Sequence, residues 1–224
     1  MGDGLHDAQG RPRFRERACF ADALIYYCGP GATSGIGSDS AIAAGNAVKR
    51  DAWTRSFVMA HALAFDSKEY RRALGTYPTG VTVVTTLAPD GAPVGITVNS
   101  FASLSLEPPL VMWALNVRSP KLAAFDAASH FAVNVLRDNQ IDLSRRFASR
   151  QSNLFDGVET KPGLGGVPLV SGVAAHIQCR PHARHDGGDH VILIGRVERF
   201  DFVADTRPLV FSAGRYHTLG GELP

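Results

Sequence analysis

GITVNSFASLSLEPPLV, Gly95 to Val111, is the stretch on which the fold turns. Its two ends, rich in branched apolar residues, read as β-strand. Its middle places Thr97, Asn99, Ser100, Ser103 and Ser105 within nine residues, more hydroxyl and amide groups than a plain connection needs. Such groups serve one of two purposes: they satisfy the backbone of the bend itself, or they offer short donors and acceptors to a polar ligand.

Upstream, GVTVVTTLAPDGAPVGITV contains two β-rich runs around Pro89-Asp90-Gly91, where proline presets a turn and glycine accepts positive φ, so a hairpin is predicted. Before it, DSKEYRRALG predicts a short helix with Asp66 and Glu69 in a capping-box arrangement and a stop at Gly75. Downstream, Pro109 to Leu115 (PLVMWAL) predicts a strand, and Ser119-Pro120 an N-cap followed by proline at the first position of a helix over KLAAFDAAS. His130 to Leu136 (HFAVNVL) is the next predicted strand, NQIDLSRRFAS the next helix, and residues 150–172 a long loop rich in Gly, Pro and Asn. A hairpin is predicted from GVAAHIQCRPHARH and HVILIGRVERFDF around DGGD, with PLVFSAGRYHTLG closing the chain. About six or seven strands with few, short helices predict a mainly β, antiparallel, closed and Greek-key-like sheet rather than a βαβ succession.

The 224 residues are 45% hydrophobic and 20% charged, enough for a sizeable core and one main domain. Lys and Arg number 23 against 21 for Asp and Glu, a net charge of +2 that provides no broad field for nucleic acid or an anionic membrane. Cys19, Cys28 and Cys179 form no CxxC pair, which argues against a disulfide framework or zinc ribbon and for a reducing, cytoplasmic setting. No apolar run approaches the roughly 18 to 20 residues of a membrane span. Residues 1–65 show no sustained period and are expected to form an N-terminal extension, with the folded domain over 66–224.

Two further patterns carry less. His176, Cys179, His182 and His185 recur every three residues, but on a strand positions three apart face opposite ways, so a metal site is not expected. GATSGIG, Gly31 to Gly37, has the look of a dinucleotide-binding glycine turn, yet no tyrosine is followed four residues on by lysine and no further βαβ unit follows. The arginine-rich RPRFRER, Arg11 to Arg17, fits a solvated tail.

Taken in order, YPTGVTVVTT, GITVNSFASLSLEPPLV, FAVNVL, GGDHVILIGRVERF and GRYHTL resemble the flavin reductase family from about Tyr70 to Leu219. The resemblance implies a split β-barrel that binds FMN or FAD, uses NADH or NADPH as co-substrate, forms a homodimer, and hands reduced flavin to a partner monooxygenase. Carried over motif by motif, it puts Pro78, Thr79 and Gly80 near the isoalloxazine and Thr97, Val98, Asn99 and Ser100 at its polar edge. Ser103 falls toward the ribityl or phosphate end, with Arg118 and Ser119 as phosphate partners. It makes His190, after Asp189 in GGDH, the residue beside the nicotinamide, with Tyr216 helping to hold the dinucleotide. A flavin-binding electron carrier or sensor, or an oxidase of the same fold, remains as an alternative.

Overall fold

The computed structural model describes residues 66–221. The expectations placed on the extension, RPRFRER, GATSGIG, Cys19 and Cys28 lie outside the described residues. Helix α1 (Ser67–Gly75) leads through β1 (Thr79–Gly80) into the hairpin of β2 (Thr82–Leu87) and β3 (Pro93–Val98). Strands β4 (Ala102–Leu106) and β5 (Pro109–Asn116) follow, then α2 (Leu122–Asp126), β6 (Phe131–Val135) and α3 (Ile141–Phe147). A small hairpin, β7 (Thr160–Pro162) with β8 (Pro168–Val170), precedes the long hairpin of β9 (Ala175–Gly187) and β10 (His190–Phe202). The described chain closes with β11 (Val210–Ser212) and β12 (Arg215–His217).

Seven strands form one antiparallel sheet in the order β3-β2-β6-β9-β10-β5-β4. Its two edges, β3 and β4, are consecutive in sequence and separated only by Asn99, Ser100 and Phe101. Four Cα steps of 3.8 Å span at most about 15 Å, so the edges must approach each other there and the sheet rolls up. Among the described residues no ladder joins β3 to β4, so the roll is a split barrel with an open seam and not the closed sheet expected.

Side chains from β2, β3, β5, β6, β9 and β10 meet inside the roll, where Val84, Ile96, Val98, Trp113, Phe131 and Leu193 belong to one buried cluster. Val81, Val83, Leu136, Phe147, Leu209 and Phe211 form a second cluster. Strand β2 supplies both, Val84 to the first and Val83 to the second, which is why its sequence is a continuous β-branched run without polar alternation. Helix α3 comes close to β3 because residue 95 has no side chain: a Cβ on Gly95 would lie 2.6 Å from the Phe147 ring.

Several local expectations shift. Residues 102–106 are not part of a bend but a strand paired with β5, leaving a connection of three residues. The Asp66 carboxylate accepts from Lys68 N at 2.8 Å, whereas Glu69 pairs with Arg72 rather than completing the capping box. Helix α2 takes Lys121 as its N-cap, with Ser119 Oγ accepting from Lys121 N at 3.3 Å. The loop expected over 150–172 contains the β7–β8 ladder and a single 3-10 turn.

Candidate functional site

The three-residue connection is held to the sheet by a side chain in place of a ladder. Ser100 Oγ accepts from Ala114 N at 3.0 Å and donates to Ala114 O at 3.2 Å, which fixes the seam against β5. Beside it Asn99 is 7% exposed, and its Oδ1 is buried without a hydrogen-bond partner. Thr79 Oγ1 is in the same condition. Thr82 pairs with Val98, so Thr79 and Asn99 lie just beyond the same end of the β2–β3 ladder. A buried polar atom left without a partner costs about 1–3 kcal/mol, and each of these suits a ligand that completes it.

The preceding Thr97 does not face that way. Its side chain is fully buried and its Oγ1 donates to Ser144 O at 2.7 Å, joining β3 to α3, while Val98 packs into the inner cluster. Both support the rim through their backbone. Pro78 and Gly80 flank Thr79 and are exposed, and Ser103 is exposed on β4 opposite Val111.

A second group assembles on β5 and β10. His190 opens β10 and pairs with Asn116 of β5 and with Gly187 of β9 across a two-residue turn, in which Gly188 adopts φ +80°. Positive φ at that position favours glycine. Val117 N donates to Asp189 O at 3.1 Å, Arg118 N to Asn116 Oδ1 at 2.9 Å and Ser119 N to Asn116 O at 2.9 Å. The GGDH turn and the NVRSP corner are therefore built against each other. Ala114, which anchors Ser100, and Asn116, which pairs with His190, are two residues apart on one face of β5, a separation of about 7 Å. The seam and the histidine thus meet the same end of β5, from its two opposite edges.

His190 is only 14% exposed at its side chain, and its Nδ1 lies 2.7 Å from Asp189 Oδ1. A carboxylate opposite Nδ1 makes that nitrogen the donor and orients the ring. The hydrogen bond from His190 holds the Asp189 carboxyl below its ordinary range against the opposing effect of burial, and the nearby charge of Arg118 adds to the lowering.

Tyr216 belongs to a different neighbourhood. Its hydroxyl lies 2.9 Å from Ser144 Oγ, its ring packs edge-on against Phe211 at 5.4 Å, and the Arg145 guanidinium stands 5.8 Å from the ring centroid. Burial pushes the phenol up, opposed by the Ser144 hydrogen bond. Ser144 receives Thr97 through its carbonyl and meets Tyr216 through its hydroxyl, so it bridges β3 and β12. These contacts of Tyr216 share no partner with those of His190.

Sequence reasoning passed over Ser144 and the basic residues around a concavity of about 170 Å³ whose lining includes Ile96, Lys121, Phe147, Ser149 and Arg150. Lys121 lies two residues after Ser119, and Arg150 just beyond α3. The signals were the lysine after Ser-Pro and the run RRFASR, which in sequence are indistinguishable from solvated helix ends. On β9, His176 is held by Asp201 Oδ1 at 2.7 Å and Val170 O at 2.8 Å, and burial pushes the Cys179 thiol up to about 12. Among the described residues no three His, Cys, Asp or Glu side chains converge as a metal site.

The chain belongs to the flavin reductase like domain family, whose model matches residues 74–220. It is 46% identical over 151 residues to the FMN reductase (NADH) SmoA of Agrobacterium fabrum, covering 67% of this chain and 85% of that one. It is 42% identical to HsaB of Rhodococcus jostii, the reductase subunit of a flavin-dependent monooxygenase, over 69% of this chain and 79% of that one. Among solved structures, nitrilotriacetate monooxygenase component B of Mycobacterium thermoresistibile superposes with a TM-score of 0.68 at 40% identity, covering 73% of this chain and 93% of that one. The NADH:FAD oxidoreductase SgcE6 of Streptomyces globisporus, in complex with NAD and FAD fragments, gives a TM-score of 0.68 at 36% identity, over 71% and 96% of the two chains.

Proposed function

We propose that this protein is an NAD(P)H:flavin oxidoreductase that reduces FMN or FAD and delivers the reduced flavin to a separate monooxygenase. The observation that carries the reading is two buried, unpartnered groups, Asn99 Oδ1 in the connection across the barrel seam and Thr79 Oγ1 on β1, three residues before β2 begins. Between them they offer a hydroxyl, able to donate or accept, and an amide carbonyl, able to accept from an imide N–H. The polar edge of an isoalloxazine presents that mixture, so the residues fit the group. When bound, the flavin supplies the hydride-accepting centre, and the nicotinamide supplies the hydride.

What the chain itself does is orient and hold. Thr79, Asn99 and the backbone of Thr97 to Ser100 meet the flavin's polar edge, flanked by Pro78 and Gly80, and Ser103 lies toward the ribityl end. Arg118 and Ser119, with Lys121 and Arg150 of the neighbouring concavity, form the cationic side for phosphate oxygens. His190, its ring oriented by Asp189, receives the nicotinamide dinucleotide. Tyr216, steadied by Ser144, closes the far side against the same dinucleotide. Transfer between two stacked rings asks for alignment at short range and no general base, which suits a site whose histidine is oriented by a carboxylate.

The protein acts as a homodimer in the cytoplasm. Met112, Ala114, Ile192 and Ile194 form a half-buried apolar face outside the roll, alternating with the buried Trp113, Leu115, Val191 and Leu193, and a second copy covers that face. No helix among the described residues is long and apolar enough to cross a membrane.

The test is steady-state NADH and NADPH oxidation by the full chain with FMN and with FAD, in air and without oxygen. Turnover that requires added flavin supports the reading. Flavin binding with nicotinamide oxidation at background makes the protein a carrier. Peroxide formed from an organic substrate without nicotinamide makes it an oxidase.

A further inference from the structure

Away from the seam, part of the sheet ends in an edge that no other strand covers. Strand β5 lies along β10 only from His190 to Arg196, while β10 continues against β9 as far as Phe202. Past the bulge at Glu198, Arg199, Phe200, Asp201 and Phe202 pair with Gln178, Ile177, His176 and Ala175 of β9, and among the described residues no strand takes their other side. Natural sheets blunt such an edge with lysine, proline or a covering segment, because its unpaired N–H and C=O groups invite another strand. This one instead carries Phe200 at 67% and Phe202 at 69% exposed.

Side chains alternate along the segment. Phe200 and Phe202 stand on the side of their β9 partners Ile177 and Ala175. Arg199 and Asp201 stand on the other. Asp201 Oδ1 lies 2.7 Å from His176 Nδ1, yet its side chain is still 52% exposed. Arg199 is exposed and makes no ion pair among the described residues.

The order Arg199-Phe200-Asp201 is self-complementary. In an antiparallel pair of two copies centred on residue 200, each arginine at 199 faces the aspartate at 201 of the other copy. On the opposite face Phe200 meets its own copy, with each Phe202 on a diagonal to it, and such cross-strand pairs of opposite charge and of aromatic rings are the favourable ones. Centring the pair on Arg199 or on Asp201 would set like charges face to face, and a slip of one residue would set Phe200 against Asp201. The length of the edge agrees with this register. Pairing runs from Glu198 to Phe202, and the place before Glu198 belongs to Pro109, the first residue of β5, next to Leu110, which pairs with Arg196.

We propose that the open edge of β10 joins the same edge of a second copy of this chain, antiparallel about Phe200, in a contact separate from the apolar β5–β10 face. Five residues a side bury less than the roughly 1,200 Å² of a stable interface, so the association is reversible and depends on concentration. Together with pairing through the β5–β10 face it makes an assembly of four chains.

The experiment is sedimentation velocity of the full chain over a hundredfold range of concentration, on wild type and Arg199→Glu. It is joined by oxidative cross-linking of Phe200→Cys and Phe202→Cys, each in a chain carrying Cys19→Ser and Cys28→Ser. Wild type is expected to double in particle mass as concentration rises. Arg199→Glu sets two pairs of like charges across the edge and is expected to raise the concentration needed by about tenfold or more, with far-UV circular dichroism unchanged. Phe200→Cys is expected to cross-link two chains, since directly opposed residues lie about 5 Å apart, within reach of a disulfide. Phe202→Cys stands four strand positions from its own copy, about 13 Å, and is expected not to. Identical particle masses for wild type and Arg199→Glu at every concentration overturn the proposal. So does a Phe200→Cys chain that stays reduced, or one that cross-links no better than Phe202→Cys. Should the β5–β10 face not join chains, wild type passes from one chain to two in place of two to four, and Arg199→Glu still delays that step.

Discussion

Replacing Asn99 by leucine separates a ligand-binding role from a structural one, because the two predict opposite signs. Asn99 is 7% exposed and its Oδ1 is buried with no partner in the protein. Such an atom costs about 1–3 kcal/mol, and leucine has the same branching and the same number of side-chain heavy atoms, though more bulk, with no polar atom to desolvate. The flavin-free variant is therefore expected to be as stable as wild type or more so, by up to about 1 kcal/mol, which for a chain of this size raises Tm by roughly 2–4 °C. In the presence of flavin the order reverses. At a flavin concentration 100 times Kd, wild type gains about 2.7 kcal/mol from binding. If the lost contact weakens binding about tenfold, the variant gains only about 1.4 kcal/mol at the same concentration. Thermal unfolding with and without FMN and FAD, together with a direct fluorescence titration, reads both quantities. A variant that is destabilised without flavin by more than about 1 kcal/mol, with flavin affinity unchanged, would refute the reasoning: Asn99 would then be a structural residue.

Three further outcomes follow from the geometry. His190→Ala is expected to raise the KM for NADH severalfold or more with little change in flavin affinity, and equal losses in both would remove the histidine from the nicotinamide side. Asp189 is held below the ordinary carboxylate range by its bond to His190, so its contribution is present at neutral pH and is lost only as pH falls through that lowered value; the KM for NADH is expected to rise there in wild type and to be flat with pH in Asp189→Asn, as measured by pH-dependent initial rates. Gly95→Ala places a methyl group 2.6 Å from the Phe147 ring and is expected to cost about 1–3 kcal/mol in chemical denaturation, with Phe147→Leu recovering part of that loss in the double variant; additive losses would show that the ring is not what glycine accommodates.

The hairpins and the order of the motifs were legible from local chemistry. Pro89-Asp90-Gly91 and Gly188-Asp189 carry their turn geometry in their own residues, and the β-branched runs of β2, β5 and β10 need no partner to be recognised as strands. Harder to see was β4: ASLSL has neither a clear apolar face nor a long run, and it is a strand because β5 supplies its ladder. The start of α2 moved two residues because the Ser119 carbonyl and hydroxyl are used in a turn before the helix begins. In the site, composition singled out Thr97 along with Asn99 and Ser100, but alternation along β3 turns Thr97 toward α3 and into a bond with Ser144.

The sequence alone determined that this is an antiparallel β protein with the motif series of a flavin reductase, because turn propensity, strand periodicity and motif order are properties of neighbouring residues. Tertiary structure decided which of those residues meet. Strand pairing brings Ala114 and Ser100 together across 14 positions, at the end of the β4–β5 ladder, and sets His190 opposite Asn116. The packing of distant segments also leaves Asn99 Oδ1 and Thr79 Oγ1 buried without partners. Burial and the direction of a side chain depend on contacts between distant segments, which no local pattern encodes.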